Sequence, residues 1–288
     1  MKGIIIGFIV FMLLLAAVIG NCSDESTEYS ETSIILVDTN DTHRQATIRQ
    51  NNRNEDVEEV TSLSVDNLRP SSIENEIILR RSAYIVSYNS STKCPNWVAW
   101  HLTGEHTDGP YHRMQNFHEE EELPSPRATL DDYRGSGWSR GHMCPAGDNK
   151  WDAEAMYESF SLANVCPQNA SLNSGLWNSI EIDCRRWARK FGDIYIVCGP
   201  IYLNREHETI GYNQVYVPEA FFKVVLCLNG TPKGFGFVVR NTDGTKKRDL
   251  YYNSIDQVER ITGYDFFPTL PDSIETIVEA NADIEEWR

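Results

Sequence analysis

Ser139-Arg140-Gly141-His142 sets an imidazole two residues from a guanidinium, and Asn173, Glu181 and Arg185 follow about thirty to forty residues later. These residue types suit one kind of chemistry. An imidazole takes a proton from water near neutral pH. A carboxamide oxygen is a hard, uncharged ligand suited to Mg2+. Arginine presents a planar fork that matches phosphate oxygens. Base, metal ligand and arginines together are equipment for cutting phosphodiester bonds. Taken alone, a histidine is usually structural or merely exposed. His142 stands out because Arg140 precedes it and Asn173 and Glu181 follow at intervals that a strand, a loop and a helix can fold back upon.

The element that must carry Asn173, Glu181 and Arg185 is the most readable in the chain. Over Ser174–Lys190, Leu176, Ile180, Cys184, Trp187 and Phe191 recur at helical spacing and form a stripe to be buried. Trp177, Glu181 and Arg185, four apart, form a neighbouring stripe with Asn173 at its start. That stripe is either a site layout or an exposed polar face.

The scaffold reads as α+β, a central, mostly antiparallel sheet flanked by helices. Residues 83–88, 97–102, 193–199, 221–228 and 234–240 are β-branched or aromatic runs bounded by turn residues. Asn229-Gly230-Thr231-Pro232 joins the last two as a hairpin. Short helices are expected over 152–160, 254–262 and 272–282. Strands without a regular βαβ alternation fit α+β in one domain, 77–288. The polar, acidic stretch 104–138 is expected to cross part of the site as a long surface loop. Trp97, Trp100, Trp138 and Tyr133 could stack on bases, but in these contexts core packing is the better reading.

The 288 residues carry a formal net charge of −16, which argues against holding nucleic acid by bulk electrostatics. An enzyme that must release its product is less constrained. Residues 1–21 carry Lys2 and then an uncharged run from Gly3 to Gly20, between a secretory signal and a membrane span in length. They read as a signal peptide or signal anchor. Three fates are open: cleavage and release, retention as an anchor, or lipid attachment at Cys22, whose flank loosely resembles a bacterial lipoprotein box. Each implies export: to a periplasm, an outer surface, a membrane anchor or the medium. Residues 22–76 are polar and acidic and read as a disordered tether. The six other cysteines, Cys94, Cys144, Cys166, Cys184, Cys198 and Cys227, are an even number, which in an exported chain suggests disulfides. For Cys198 and Cys227, in apolar runs, buried thiols are the better reading.

SRGHMCPAGD (139–148), SFSLANVCPQN (159–169) and LNSGLWNSIE (172–181) resemble the signature of the DNA/RNA non-specific endonucleases of the ββα-metal class. That family includes secreted bacterial sugar-nonspecific nucleases and mitochondrial endonuclease G. The resemblance implies a Mg2+-dependent enzyme, with Mn2+ as a substitute, that cuts DNA and RNA to 5′-phosphate ends without reading sequence. His142 would be the general base and Asn173 the direct metal ligand. Glu181 would reach the metal through water, and Arg140 and Arg185 would bind phosphate and neutralise developing charge. Asn164 would support this arrangement, and Arg127 would be an upstream phosphate contact. Relatives are often dimers, so a homodimer is an expectation too. Cys144 and Cys166, at equivalent places in the first two blocks, would form a disulfide bracing the site. Where the family has Asp before the Arg, this chain has Ser139, which accepts a hydrogen bond but holds no charge. A lower rate or a shifted His142 pKa would follow. Ser139 and the acidic surface also motivate a second reading, a catalytically weak or inactive surface binding module on a nuclease fold. A phosphodiesterase acting on small or lipid-linked substrates is a third.

Overall fold

Runs of apolar residues with few interruptions become strands, buried on both faces at the centre of the sheet and partly exposed at its edges. In chain order these are β1 (Ile77–Arg80), β2 (Ile85–Asn89), β3 (Cys94–Thr103), β4 (Ser139–His142), β5 (Val165–Gln168), β6 (Asp193–Ile201), β7 (Thr209–Ile210), β8 (Val215–Tyr216), β9 (Ala220–Cys227), β10 (Lys233–Arg240) and β11 (Tyr252–Asn253). Seven of them form one sheet in the order β1-β2-β3-β6-β9-β10-β11, antiparallel at every pairing. Its centre is held in register by Val98 opposite Cys198 and Val197 opposite Val224. The β9–β10 turn is the expected one, with Gly230 supplying a φ of +73°.

The computed structural model describes residues 62–70, 76–242, 247–280 and 282–288. The signal or anchor segment, Cys22 and most of the tether lie outside them. The chain divides into Met1–Gln45, wholly outside the described residues, and Ala46–Arg288. Among the described residues, no helix is long and apolar enough to cross a membrane.

Helices α1 (Leu130–Tyr133), α2 (Ala153–Glu158), α3 (Asn178–Phe191), α4 (Ile255–Thr262) and α5 (Asp272–Ala280) complete the fold. Alternation along each strand separates two cores. On one face, Trp100, Phe221 and Val225 meet Leu176, Ile180 and Trp187 of the expected helical stripe. Each such side chain contributes roughly 1.5–3 kcal/mol through burial. On the other face, Phe222, Val224 and Leu226 meet Val258, Ile274 and Val278 of α4 and α5. Leu68 belongs to this second core, and the Leu63 N–H donates to the Tyr195 hydroxyl. Folded structure therefore begins upstream of residue 77, because two leucines in a polar stretch find a place on the sheet.

The expected disulfides are not formed. All six described cysteines are free, buried thiols. For Cys144 and Cys166 the register gives the reason. Cys166 lies opposite Gly141, while Cys144 is three residues further along the partner strand. Three residues of extended chain span roughly 10 Å, and a disulfide needs Cα atoms within about 7 Å.

Candidate active site

β4 and β5 pair apart from the large sheet, with Arg140 opposite Pro167 and His142 opposite Val165. Gly141 is required there: a Cβ would lie 2.3 Å from the Gln168 Oε1. Beyond His142 the pairing continues through Asn164. The Met143 N–H donates to the Asn164 backbone oxygen (3.0 Å) and the Cys144 N–H to its Oδ1 (2.9 Å). The Asn164 Nδ2 donates to the Cys144 and Ser159 carbonyls. This fully buried amide fixes the path of the chain next to the histidine.

The helical arm docks on this ribbon through Trp177, whose Nε1 donates to the His142 carbonyl at 3.3 Å. Asn173 lies four residues before Trp177 and Glu181 four after, so the anchor sits midway between the two oxygen donors. The arm is not uniformly α-helical. Asn173–Trp177 is a π-helical turn between a short helical piece, Ala170–Leu172, and α3. Such turns are rare and often occur at functional sites.

His142 is only 5% exposed. Its ring lies 4.9 Å from that of Phe117 and 5.1 Å from that of Phe160, and its Nε2 meets no hydrogen-bond partner among the described residues. Phe117 comes from the long 104–138 segment, which crosses the site as expected. Burial, reinforced by Arg113 and Arg140, pushes the His142 pKa down to about 3, so the imidazole is neutral at pH 7. The Arg140 guanidinium lies 4.5 Å over the Phe117 ring and that of Arg113 lies 5.3 Å over Phe160. Arg113, Phe117, Trp138, Ser139, Arg140 and Asn173 line a cleft of about 480 Å³.

Arg185 and Glu181 lie deeper. The Arg185 Nη1 donates to the Asp148 Oδ1 at 2.9 Å, and the Trp100 Nε1 donates to the other Asp148 oxygen at 3.1 Å. Burial works against the Arg185 charge, but Asp148 and then Glu181 more than restore it. Gly147 leaves room for this fork, since a Cβ there would lie 2.7 Å from the Arg185 Nη1. Burial lifts the Glu181 carboxyl to a pKa of about 7 against the opposing pull of Lys223 and Arg185. Lys223 is fully buried in β9, its Nζ 4.8 Å from the Trp100 ring and 4.9 Å from the Trp177 ring. Burial opposes its charge, yet Cys198, Cys184, Glu181 and Asp148 together raise its pKa. The Cys184 and Cys198 thiols, at about 12 and 11, are neutral at pH 7, and the Lys223 Nζ donates to the Met143 carbonyl at 3.4 Å.

The structure thus lines one cleft with Arg140 and Asn173, sets His142 against Phe117 of the cleft wall, and gathers Arg185 and Glu181 around Asp148 and Lys223. It does not bring Arg127 to the cleft. The Arg127 Nη1 donates to the Leu123 carbonyl, and the residue faces a separate hollow with Glu119, Thr129 and Asn213. Its place in the cleft is taken by Arg113, which lies in a stretch without periodicity and so gave no signal. Asp148 and Lys223 were also missed. Asp148 closes the first sequence block, and Lys223 is a lone charge in an apolar strand, a combination rarely buried without a partner.

The sheet, the β4–β5 ribbon and the helix against it constitute a ββα-metal nuclease fold. The chain belongs to the DNA/RNA non-specific endonuclease family, whose model matches residues 66–273. It is 37% identical over 204 residues to mitochondrial nuclease EXOG of Xenopus laevis, covering 65% of this chain and 57% of that protein. It is 33% identical over 205 residues to mitochondrial endonuclease G of Bos taurus, covering 66% and 69%. In the crystal structure of the EndoG/EndoGI complex, one chain superposes with a TM-score of 0.69 at 26% identity, covering 76% of this chain and 95% of that one. The chain therefore spans little more than half the length of its EXOG relatives. These matches correct the expectation of export drawn from the N-terminal segment, since EXOG and endonuclease G are mitochondrial proteins.

Proposed function

We propose that this chain is a Mg2+-dependent endonuclease that hydrolyses DNA and RNA without reading sequence and leaves 5′-phosphate ends. The observation that carries the proposal is the neutral, buried Nε2 of His142, unpartnered among the described residues, next to a cleft edged by Arg113, Arg140 and the Asn173 carboxamide. The oxygen donors suit a hard cation: Asn173 would hold it directly, Glu181 would support it from the helical turn behind, and Mn2+ could substitute. When bound, the ion would polarise the phosphoryl group and stabilise the leaving 3′ oxygen.

The rest falls to the chain itself. His142 Nε2 accepts the proton of the attacking water. Arg140 and Arg113 bind non-bridging phosphate oxygens and balance the charge that grows as the water adds. Contacts limited to the backbone phosphate carry no base information, which makes cutting indifferent to sequence. Asp148 keeps Arg185 charged and in place, and Lys223 keeps Glu181 from being an isolated buried carboxyl.

Incubating the full chain with plasmid and with RNA, with and without EDTA, tests the reading. Cutting is expected with Mg2+ or Mn2+, lost in EDTA, and lost in the His142→Ala and Asn173→Ala variants. Products should accept ligation or 5′-end labelling only in the manner of 5′-phosphates. Polynucleotide binding without turnover under all these conditions would favour the binding-module reading instead.

A further inference from the structure

On the face of the sheet opposite the cleft, α4 and α5 bring together three carboxylates. Oxygens of Asp256, Glu259 and Glu279 all lie within 4.8 Å of one another. Glu279 is 7% exposed, and its buried Oε1 meets no hydrogen-bond donor among the described residues. Its position is unfavourable in three ways. It lies in the last turn of α5, where the helix dipole disfavours an anion, and that turn contains no basic residue. Glu275 precedes it by four residues, a like-charge pair on one helix face. The charges that act on it, Glu259, Glu275, Asp256 and Asp265, are all carboxylates. A glutamine would fill the same volume without these costs. Of the three residues, Glu259 has a donor, the Phe266 N–H at 2.8 Å.

We propose that Asp256, Glu259 and Glu279 bind a calcium-sized divalent cation that clips α4 to α5. The donors are all carboxylate oxygens, with no histidine or cysteine, which selects a hard cation over zinc or copper. Calcium takes about six to eight oxygen ligands in flexible geometry, whereas Mg2+ demands near-ideal octahedral geometry and dehydrates reluctantly, so a cluster of three carboxylates with a rigid buried member suits the larger ion. Calcium also accepts bidentate carboxylates and fills remaining positions with water, as half-buried Asp256 and Glu259 permit. Because Val258 and Val278, in the same helices, pack on β9 and β10, the clip would tighten that half of the domain without touching the cleft.

Thermal unfolding of the full chain, titrated with Ca2+ after EDTA treatment, tests this. The Asn173→Ala background removes the proposed active-site ligand, so failure of the nuclease reading and failure of this one are distinguishable. In both backgrounds the Tm is expected to rise by about 5–10 °C when free Ca2+ is roughly 100-fold above Kd, with a smaller rise for Mg2+. Glu279→Gln and Asp256→Asn should each abolish most of the rise and leave the nuclease rate unchanged. In EDTA, Glu279→Gln should melt at or above the parent chain. Calorimetric titration should find one Ca2+ site in Asn173→Ala and none in the double variant with Glu279→Gln. A folded Asn173→Ala chain whose Tm ignores Ca2+, or a rise that survives Glu279→Gln, would overturn the proposal.

Discussion

The two faces of the sheet use the same strands for opposite ends. Along β9, Phe221, Lys223 and Val225 point to the cleft side while Ala220, Phe222, Val224 and Leu226 point away. The far face is sealed with apolar side chains, with the carboxylates of Asp256, Glu259 and the buried Glu279 on the helices that cover it. The cleft face admits the Lys223 ammonium and the Asp148 carboxylate into the core, Asp148 paired with Arg185 and Lys223 donating to the Met143 carbonyl, with Glu181 beside them. Buried charges survive only when paired, so the cleft face trades packing for electrostatic order and the far face supplies the packing. A substitution on one face should therefore show in rate, and on the other in stability.

The largest effect should come from His142→Ala, expected to lower kcat by about 10²–10⁴, the usual share of a general base, with the domain still folded. Plasmid nicking and circular dichroism together check it. Next, Arg185→Leu leaves Asp148 buried without its partner. It should cost about 3–5 kcal/mol of stability and activity as well. Phe222→Ala on the far face should cost a similar 3–5 kcal/mol while kcat at a permissive temperature is unchanged. Urea unfolding alongside initial rates separates the pair, and a lost kcat in Phe222→Ala would erase the division between faces. The smallest effect should be Gly230→Ala, about 1 kcal/mol from its left-handed φ, with no change in rate.

Acidity gives a finer contrast within the cleft face. His142 is held near 3 when folded against an ordinary 6.5, so the native state binds fewer protons between those values. Its contribution to stability is full above pH 6.5 and is lost as pH falls toward 3, on the order of a few kcal/mol. Glu181 runs the other way. Raised to about 7 from 4.5, it contributes fully below pH 4.5 and loses that contribution as pH rises through 7. Without metal, the Glu181 carboxyl should titrate near 7, and Glu181→Gln should remove that step from the infrared carboxylate signal.

Most of this fold was legible because its signals are local. The helix stripe from Leu176 to Trp187 and the strands around residues 97–102 and 193–199 follow directly from periodicity. Residues 172–191 differ in detail because the π-turn shifts the start of α3. The stretch before residue 77 was hidden because a few scattered apolar residues, Leu63, Val65 and Leu68, anchor it within polar sequence. Within the candidate site, His142, Asn173 and Arg140 lie in compact blocks, which is why the sequence alone points to them. Arg113 was not, because a long loop reaches the cleft by its three-dimensional path, and Arg127 failed for the same reason. Lys223 became meaningful only once two tryptophans from distant segments closed around it. Cys144 and Cys166 looked equivalent in their blocks, but pairing set them three steps out of phase.

The π-helical turn at Asn173–Trp177 carries a consequence for chain length. An α-helix advances about 100° per residue, so one extra residue in that arm sets the angular phase of everything before it relative to everything after. Excising Gly175, which has open space around it, would regularise the coil and swing the Asn173 carboxamide about a quarter turn off the Trp177 anchor. The direction of the Asn173 carboxamide is thus encoded by a count of residues as much as by their identity.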